Sequence, residues 1–320
     1  MVKKKLGLVL GSGAARGWAH MGVLRGLEEM GLKPDVVAGC SVGALVGGAY
    51  LLGVVDEFAA WARELKPLSA MQSFALGVSR GGIVNAAPAF KAFSTFDRKI
   101  EDLPTRFGAV ASDLGTGEEI WITSGSVIEA ARASSAIPVI FHSVRREGRW
   151  LVDGALANPT PVSLARHLGA DVVVSVDLNA VPRVLDRFSG SAGEGEIEIY
   201  DTPPPRAAPA PAPDVGADQI LGPAVSKLIS DTRALIDRQI EQAKQRSLSR
   251  PKLFETAYAA ADIFQMQLSR ARAVADPPDV LLEPDVRHAL PTAFDRADEF
   301  IAEGRRALFQ KRAEIEALLA

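Results

Sequence analysis

Apolar residues along this chain fall into two rhythms: short unbroken runs, and stripes with helical spacing that follow them. Leu6-Gly7-Leu8-Val9-Leu10 is an unbroken run, the pattern of a strand covered on both faces. A turn rich in small residues comes next, Gly11-Ser12-Gly13-Ala14-Ala15-Arg16-Gly17. Trp18 to Met30 then carries Val23, Leu24 and Leu27 on one face, with Gly31 just past its end; this predicts a helix. Val36-Val37-Ala38 predicts a second strand, and Gly39-Cys40-Ser41-Val42-Gly43 opens a helix through about Leu52. Strand–turn–helix twice in succession implies neighbouring parallel strands joined by a right-handed crossover.

The alternation continues downstream. Residues 54–66 read as a helix, and Phe107–Ser112 and Glu118–Thr123 as strands joined by a turn at 113–117. Ser126 with Glu129 three residues later is a capping box for a helix through Ser134. Ile140–Val144 and Trp150–Val152 predict a hairpin, 158–168 a helix and Asp171–Asp177 a buried strand. Between 183 and 222 the periodicity gives way to Gly, Ser, Pro, Ala and acids, too little apolar surface to offset the entropy of ordering. Helical stripes return at Leu228–Ile240 and Phe254–Leu268, followed by a short strand Val280-Leu281-Leu282 and a final helix over about 293–319. The expected class is α/β. Residues 1–182 would form the catalytic core, 183–222 a flexible linker, and 223–320 a mainly helical part packed on the core.

Composition narrows the function classes. The 320 residues are 48% hydrophobic and 23% charged, a globular mixture. The net charge of −3 comes without a basic stripe, which argues against a nucleic-acid partner. One cysteine, Cys40, allows no intrachain disulfide and fits a reducing compartment. Lys3, Lys4 and Lys5 precede an apolar run of five residues, shorter than the ~7–15 of a secretory core. A cytoplasmic protein is therefore expected. No C-x-x-C, no H-E-x-x-H and no close histidine pair occurs, so neither metal nor cofactor is expected.

Candidate chemistry sits at three turns. Ser41 stands between Gly39 and Gly43 at a strand-to-helix turn, the nucleophile-elbow pattern. The hydroxyl there projects at a helix N-terminus, where partial positive charge favours an oxyanion. Gly11, Gly13 and Gly17 leave backbone N–H groups free to bind an anion, as either a dinucleotide phosphate loop or an oxyanion hole. The dinucleotide spacing fails because Arg16 occupies the last glycine position, and Asp35 lies at the wrong end of the second strand. Asp153-Gly154-Ala155 ends an apolar strand and is either a held acid or an ordinary Asp-Gly turn. The histidines are His20, His142, His167 and His288; a triad of Ser41, Asp153 and His288 is open by order, although the serine comes too early in the chain for an α/β-hydrolase.

Taken in order, Leu10 to Gly17, Gly39 to Gly43, Ala133-Ser134-Ser135-Ala136-Ile137-Pro138, Asp153-Gly154-Ala155 and Asn158-Pro159-Thr160-Pro161-Val162 resemble the patatin-like phospholipases. The likeness is closest to small bacterial members related to the catalytic domain of neuropathy target esterase, and it covers about 5–180, with Asp276-Pro277-Pro278-Asp279 also similar. It implies a three-layer α/β/α patatin-like fold with a mostly parallel central sheet, and a Ser-Asp dyad without histidine. On that analogy Ser41 attacks an acyl ester and Asp153 takes its proton. The N–H groups of Ser12, Gly13 and Ala14 cradle the oxyanion, with Gly11, Arg16, Gly17, Gly39, Gly43 and Gly154 in support. The family's triple glycine reads Ser12-Gly13-Ala14 here, and Ala155 stands where many members have glycine. The implied substrate is a lipid or lysophospholipid ester, with peripheral contact at the inner membrane surface as an option. A short-chain carboxylesterase and a catalytically silent binding protein are the alternatives. Residues 69–87 hold apolar side chains among glycines without a helical period, the pattern of a flap beside an acyl pocket.

Overall fold

The computed structural model describes residues 3–64, 90, 93–138, 140–179, 253–286, 288–289 and 293–320. The chain divides into two compact units, Met1–Arg183 with Ala260–Ala320, and Val184–Ala259. Of the second unit the described residues are 253–259. The expected linker at 183–222, the stripe at 228–240 and the flap at 69–87 lie outside the described residues.

The first unit is built on an eight-stranded mixed sheet. Its strands are β1 (Leu6–Leu10), β2 (Val36–Cys40), β3 (Arg106–Asp113), β4 (Glu119–Ile122), β5 (Val144–Arg146), β6 (Arg149–Asp153), β7 (Val172–Val176) and β8 (Val280–Leu282). The order is β5-β6-β3-β2-β1-β7-β8, with β4 paired to β3. β3, β2, β1, β7 and β8 run parallel; β4, β5 and β6 enter antiparallel. β1, β2 and β7 are buried along their whole length, as strands covered on both faces are.

Two apolar clusters cover the two faces. Leu6, Leu8 and Leu10 point into one cluster, with Trp18, Met21 and Leu27 of helix α1 (Trp18–Glu29) and Phe300 and Leu308 of helix α7 (Ala297–Gln310). Val9, Val36 and Ala38 point into the other, with Val162, Leu164 and Ala165 of helix α5 (Val162–His167). Alternate residues of one strand thus feed opposite layers, which makes the arrangement three-layered, α/β/α. On the α1 side lie also α2 (Val42–Leu52), α3 (Val55–Glu64) and α4 (Val127–Ser134); α6 spans Leu253–Ala275 and α8 Arg312–Leu319. α1 and α7 cross in backbone contact: a Cβ added at Gly22 would lie 1.9 Å from Ile301 O, and one at Gly304 1.9 Å from Ala19 O.

Several element boundaries differ from the sequence reading; the helix expected over 158–168 runs Val162–His167. The hairpin strands are Val144–Arg146 and Arg149–Asp153 rather than 140–144 and 150–152. The hairpin turn is Glu147-Gly148, with φ of +50° and +81°, the primed two-residue turn that matches strand twist. The final helix is two helices, broken at Lys311 (φ −104°, ψ 7°). The capping box is half formed: Ser126 Oγ accepts from Glu129 N at 3.0 Å, while the Glu129 carboxylate turns to Arg132 at 3.3 Å.

Candidate active site

Strand β3 brings two distant turns together. Val110 is the register partner of Cys40 and the next residue, Ala111, is the partner of Asp153. β4 occupies one edge of β3 over Ala109–Ser112, so β2 and β6 share the other edge. They run toward each other along it, and their C-terminal ends meet. Ser41 Oγ donates to Asp153 Oδ2 at 2.6 Å, and both residues are buried.

Ser41 sits in a backbone conformation that side chains rarely adopt, φ +55° and ψ −122°. Such strain costs on the order of 1–3 kcal/mol and persists only where the surroundings impose it. They do so here from two sides. Ser41 N donates to the Ser134 hydroxyl at 2.9 Å. Gly43 lies so close to β1 that an added Cβ would stand 1.9 Å from Leu10 O. Helix α2 starts at the next residue, Val42, and places its N-terminus under the hydroxyl.

Asp153 is held at both oxygens. Oδ2 accepts from Ser41, Oδ1 accepts from Ala155 N at 2.8 Å, and the Asp153 carbonyl accepts from Ser112 Oγ at 2.9 Å. Burial pushes the Asp153 carboxyl up to about 6, against the smaller opposing pull of the Ser41 and Ala155 hydrogen bonds. A carboxylate with that value is a stronger base than a solvated one, and it remains ionised at neutral pH.

The turn after β1 leaves the sheet beside the elbow, since Leu10 is the register partner of Gly39. Of its three expected N–H donors, that of Ser12 is already bonded to Pro159 O at 2.9 Å. It is therefore not available to an anion. The N–H groups of Gly13 and Ala14 have no hydrogen-bond partner among the described residues. Ala14 stands at φ +50°, in the left-handed region, which fits the family's glycine at this position. Arg16 is buried, and its Nε donates to Gly13 O at 3.3 Å. Its Nη2 reaches Asn179 Oδ1 at 3.1 Å and Asp262 Oδ1 at 2.8 Å.

Three of the four histidines have other partners. His288 pairs with Glu299 at 2.7 Å, and the His167 ring lies tilted by 48° against Trp121 with centroids 4.9 Å apart. His20 is fully buried with Nε2 2.8 Å from Gly11 O, and burial lowers its pKa to about 4. It supports the base of the turn as a neutral ring. The sequence reading missed Ser134, Ser112, Asn179 and Asp262. Ser134 lay within a segment that carried the family likeness; the others had no local signal. Among the described residues no cluster of His, Cys, Asp and Glu could hold a metal ion.

An apolar pocket opens one helical turn from the elbow, lined by Leu45, Ala49, Leu52, Phe58, Phe93 and Ile128 among its walls, with about 540 Å³ of empty space including its mouth. Leu45 N bonds Ser41 O at 3.2 Å, which fixes the near end of the pocket to the Ser41 turn.

The profile of the patatin-like phospholipase family matches residues 8–166. An uncharacterized NTE family protein of Mycobacterium tuberculosis is 32% identical over 322 residues, covering 94% of this chain and 89% of that protein. Lysophospholipase nte1 of Emericella nidulans is 32% identical over 184 residues, 56% of this chain and 12% of that much longer protein. Among solved structures, VipD from Legionella pneumophila aligns with a TM-score of 0.41 at 15% identity, covering 99% of this chain and 66% of that one. With a serine elbow and a buried aspartate at converging strand ends, and with similarity to a relative along nearly its whole length, the chain belongs to the patatin-like phospholipase family, in its NTE group.

Proposed function

We propose that this protein is a serine acyl hydrolase that cleaves carboxylic esters of lipids, lysophospholipids among them, with Ser41 as nucleophile and Asp153 as base. The observation that carries the reading is the 2.6 Å hydrogen bond from Ser41 Oγ to a carboxylate that burial makes more basic. In the first half-reaction Ser41 Oγ bonds to the ester carbonyl carbon and its proton passes to Asp153. The carbonyl oxygen becomes an oxyanion facing the Gly13 and Ala14 N–H groups and the α2 N-terminus. The intermediate collapses, the alcohol leaves with the proton from Asp153, and an acyl-serine remains. Water then repeats the sequence with Asp153 again as base and releases the fatty acid. Donors to the oxyanion supply the larger share of the acceleration, ~2.7–4 kcal/mol each by comparison with other hydrolases.

The lipid assignment is supported by the apolar pocket beside the elbow and by the similarity to the fungal protein named lysophospholipase nte1. Among the described residues no helix is long and apolar enough to cross a membrane; the substrate would be taken from micelles or by peripheral contact with a membrane surface. The test is a panel of lysophospholipids and p-nitrophenyl esters of increasing chain length on purified protein. Release of fatty acid that rises with acyl length supports the lipid reading. Activity confined to acetate and butyrate esters would replace it with a general carboxylesterase, and no turnover of any ester would indicate a silent member of the fold.

A further inference from the structure

We propose that Asn179 and Asp262 are positioning residues that aim the Gly13 and Ala14 N–H groups at the reacting carbonyl. The inference rests on the reading above, in which those N–H groups receive the oxyanion. In a trans peptide the carbonyl of one residue and the N–H of the next are coplanar and point in opposite directions. Fixing the carbonyl therefore fixes the N–H. The Gly13 N–H shares its peptide with the Ser12 carbonyl, and Asn179 Nδ2 donates to that carbonyl at 2.9 Å. The Ala14 N–H shares its peptide with the Gly13 carbonyl, which accepts from Arg16 Nε at 3.3 Å and Arg16 N at 3.1 Å. Both free donors thus belong to peptides pinned from behind.

The pinning groups are themselves joined. Arg16 Nη2 donates to Asn179 Oδ1 at 3.1 Å, which also settles which way the Asn179 amide faces. Asp262 on α6 takes the same nitrogen at 2.8 Å. Asn179 is anchored in turn by its own N–H on Asp177 Oδ1 at 2.8 Å, and Asp177 accepts from Ser269, also on α6. Arg16 and Asn179 are each 3% exposed, so these bonds act with little competition from water. A carbonyl that accepts a hydrogen bond also polarises the N–H across the same peptide, which strengthens it as a donor. Arg16 Nε and Nη2 are engaged in this clamp, and through it Arg16 acts on the oxyanion by way of the backbone.

The test compares wild type, Asn179→Ala and Asp262→Asn for ester turnover, melting temperature and inhibition by an alkyl trifluoromethyl ketone. Ser41 adds to that ketone: Oγ bonds to the carbonyl carbon, the proton passes to Asp153, and the oxygen becomes an alkoxide in the same hole. The corresponding secondary alcohol, which cannot be attacked, reports ordinary binding. Asn179→Ala is expected to lower kcat about 10- to 100-fold, because the donors are misaimed rather than deleted. It should weaken the ketone by the same factor and leave KM and alcohol binding within about twofold, a split that loss of packing alone would not give. Asp262→Asn should act in the same direction by at least about threefold, through a looser Arg16. A folded Asn179→Ala with unchanged kcat and unchanged ketone inhibition overturns the clamp. If Asn179→Ala does not fold, Asp262→Asn decides: kcat and ketone inhibition both at the wild-type level would overturn it. If wild type turns over no ester, or the ketone inhibits Ser41→Ala equally well, the functional reading falls first and the clamp falls with it.

Discussion

At the scale of single residues, the proposed chemistry rests on one carboxyl whose environment disfavours its charge. Below about 6 Asp153 holds a proton and cannot take one from Ser41. The rate kcat/KM should accordingly rise through an apparent pKa of about 6 and level off above it; a flat profile from acid to neutral pH would contradict a carboxylate base. The same shift has a stability consequence. The folded value lies above the ordinary 3.8, so Asp153 favours the folded state when protonated, and that advantage is lost as pH rises from about 3.8 to about 6. Two pH units correspond to on the order of 3 kcal/mol for this buried group. Asp153→Asn should therefore abolish turnover yet raise the melting temperature at pH 8 by several degrees, a gain that shrinks toward pH 4. Thermal scans of the two proteins at both pH values check this. His288→Ala should leave turnover within about twofold, since its ring is bonded to Glu299 rather than to Asp153; a collapse in rate would revive a triad.

At the scale of elements, the turns matter more than the strands that carry them. Ser134→Ala removes the hydroxyl that accepts from Ser41 N. With the strained elbow less constrained, kcat should fall about tenfold while KM changes little, as steady-state kinetics on a soluble ester can show. Gly304→Ala would force apart the crossing of α1 and α7. It should lower stability by about 1–3 kcal/mol in chemical denaturation while the folded fraction keeps its activity. The sequence made these elements legible where pattern and turn chemistry agreed: β1, the elbow, α1 and β8 lie where the runs and caps put them. It misled where an apolar run was read without its turn. Ile140–Val144 looked like a strand, but the hairpin is set by Glu147-Gly148, and a glutamate in the left-handed region carries no strong signal. The break at Lys311 is likewise invisible to an apolar stripe that continues across it.

At the scale of the molecule, the site is a meeting of chain segments that sequence places far apart. Ser41 and Asp153, the proposed nucleophile and base, stood out in the sequence because each sits in its own small-residue turn. The clamp behind the glycine turn could not, since Arg16 is 163 residues from Asn179 and 246 from Asp262, and neither partner lies in a motif. Composition alone supports one further expectation. Residues 183–222 hold few aromatic or branched apolar side chains, and lengthening a connection costs only ~0.6 kcal/mol per doubling. Replacing about 188–216 with a short Gly-Ser linker should preserve both melting temperature and turnover of soluble esters. Loss of activity on micellar lipid alone would assign that segment to the lipid surface. The most direct test of the central claim is a fluorophosphonate reaction followed by peptide mass mapping in wild type, Ser41→Ala and Asp153→Asn. A single adduct on Ser41 in wild type is expected, with none in Ser41→Ala and labelling of Asp153→Asn slowed by about 100-fold or more. An adduct on another residue, or labelling of Asp153→Asn at the wild-type rate, would contradict the Ser41–Asp153 pair.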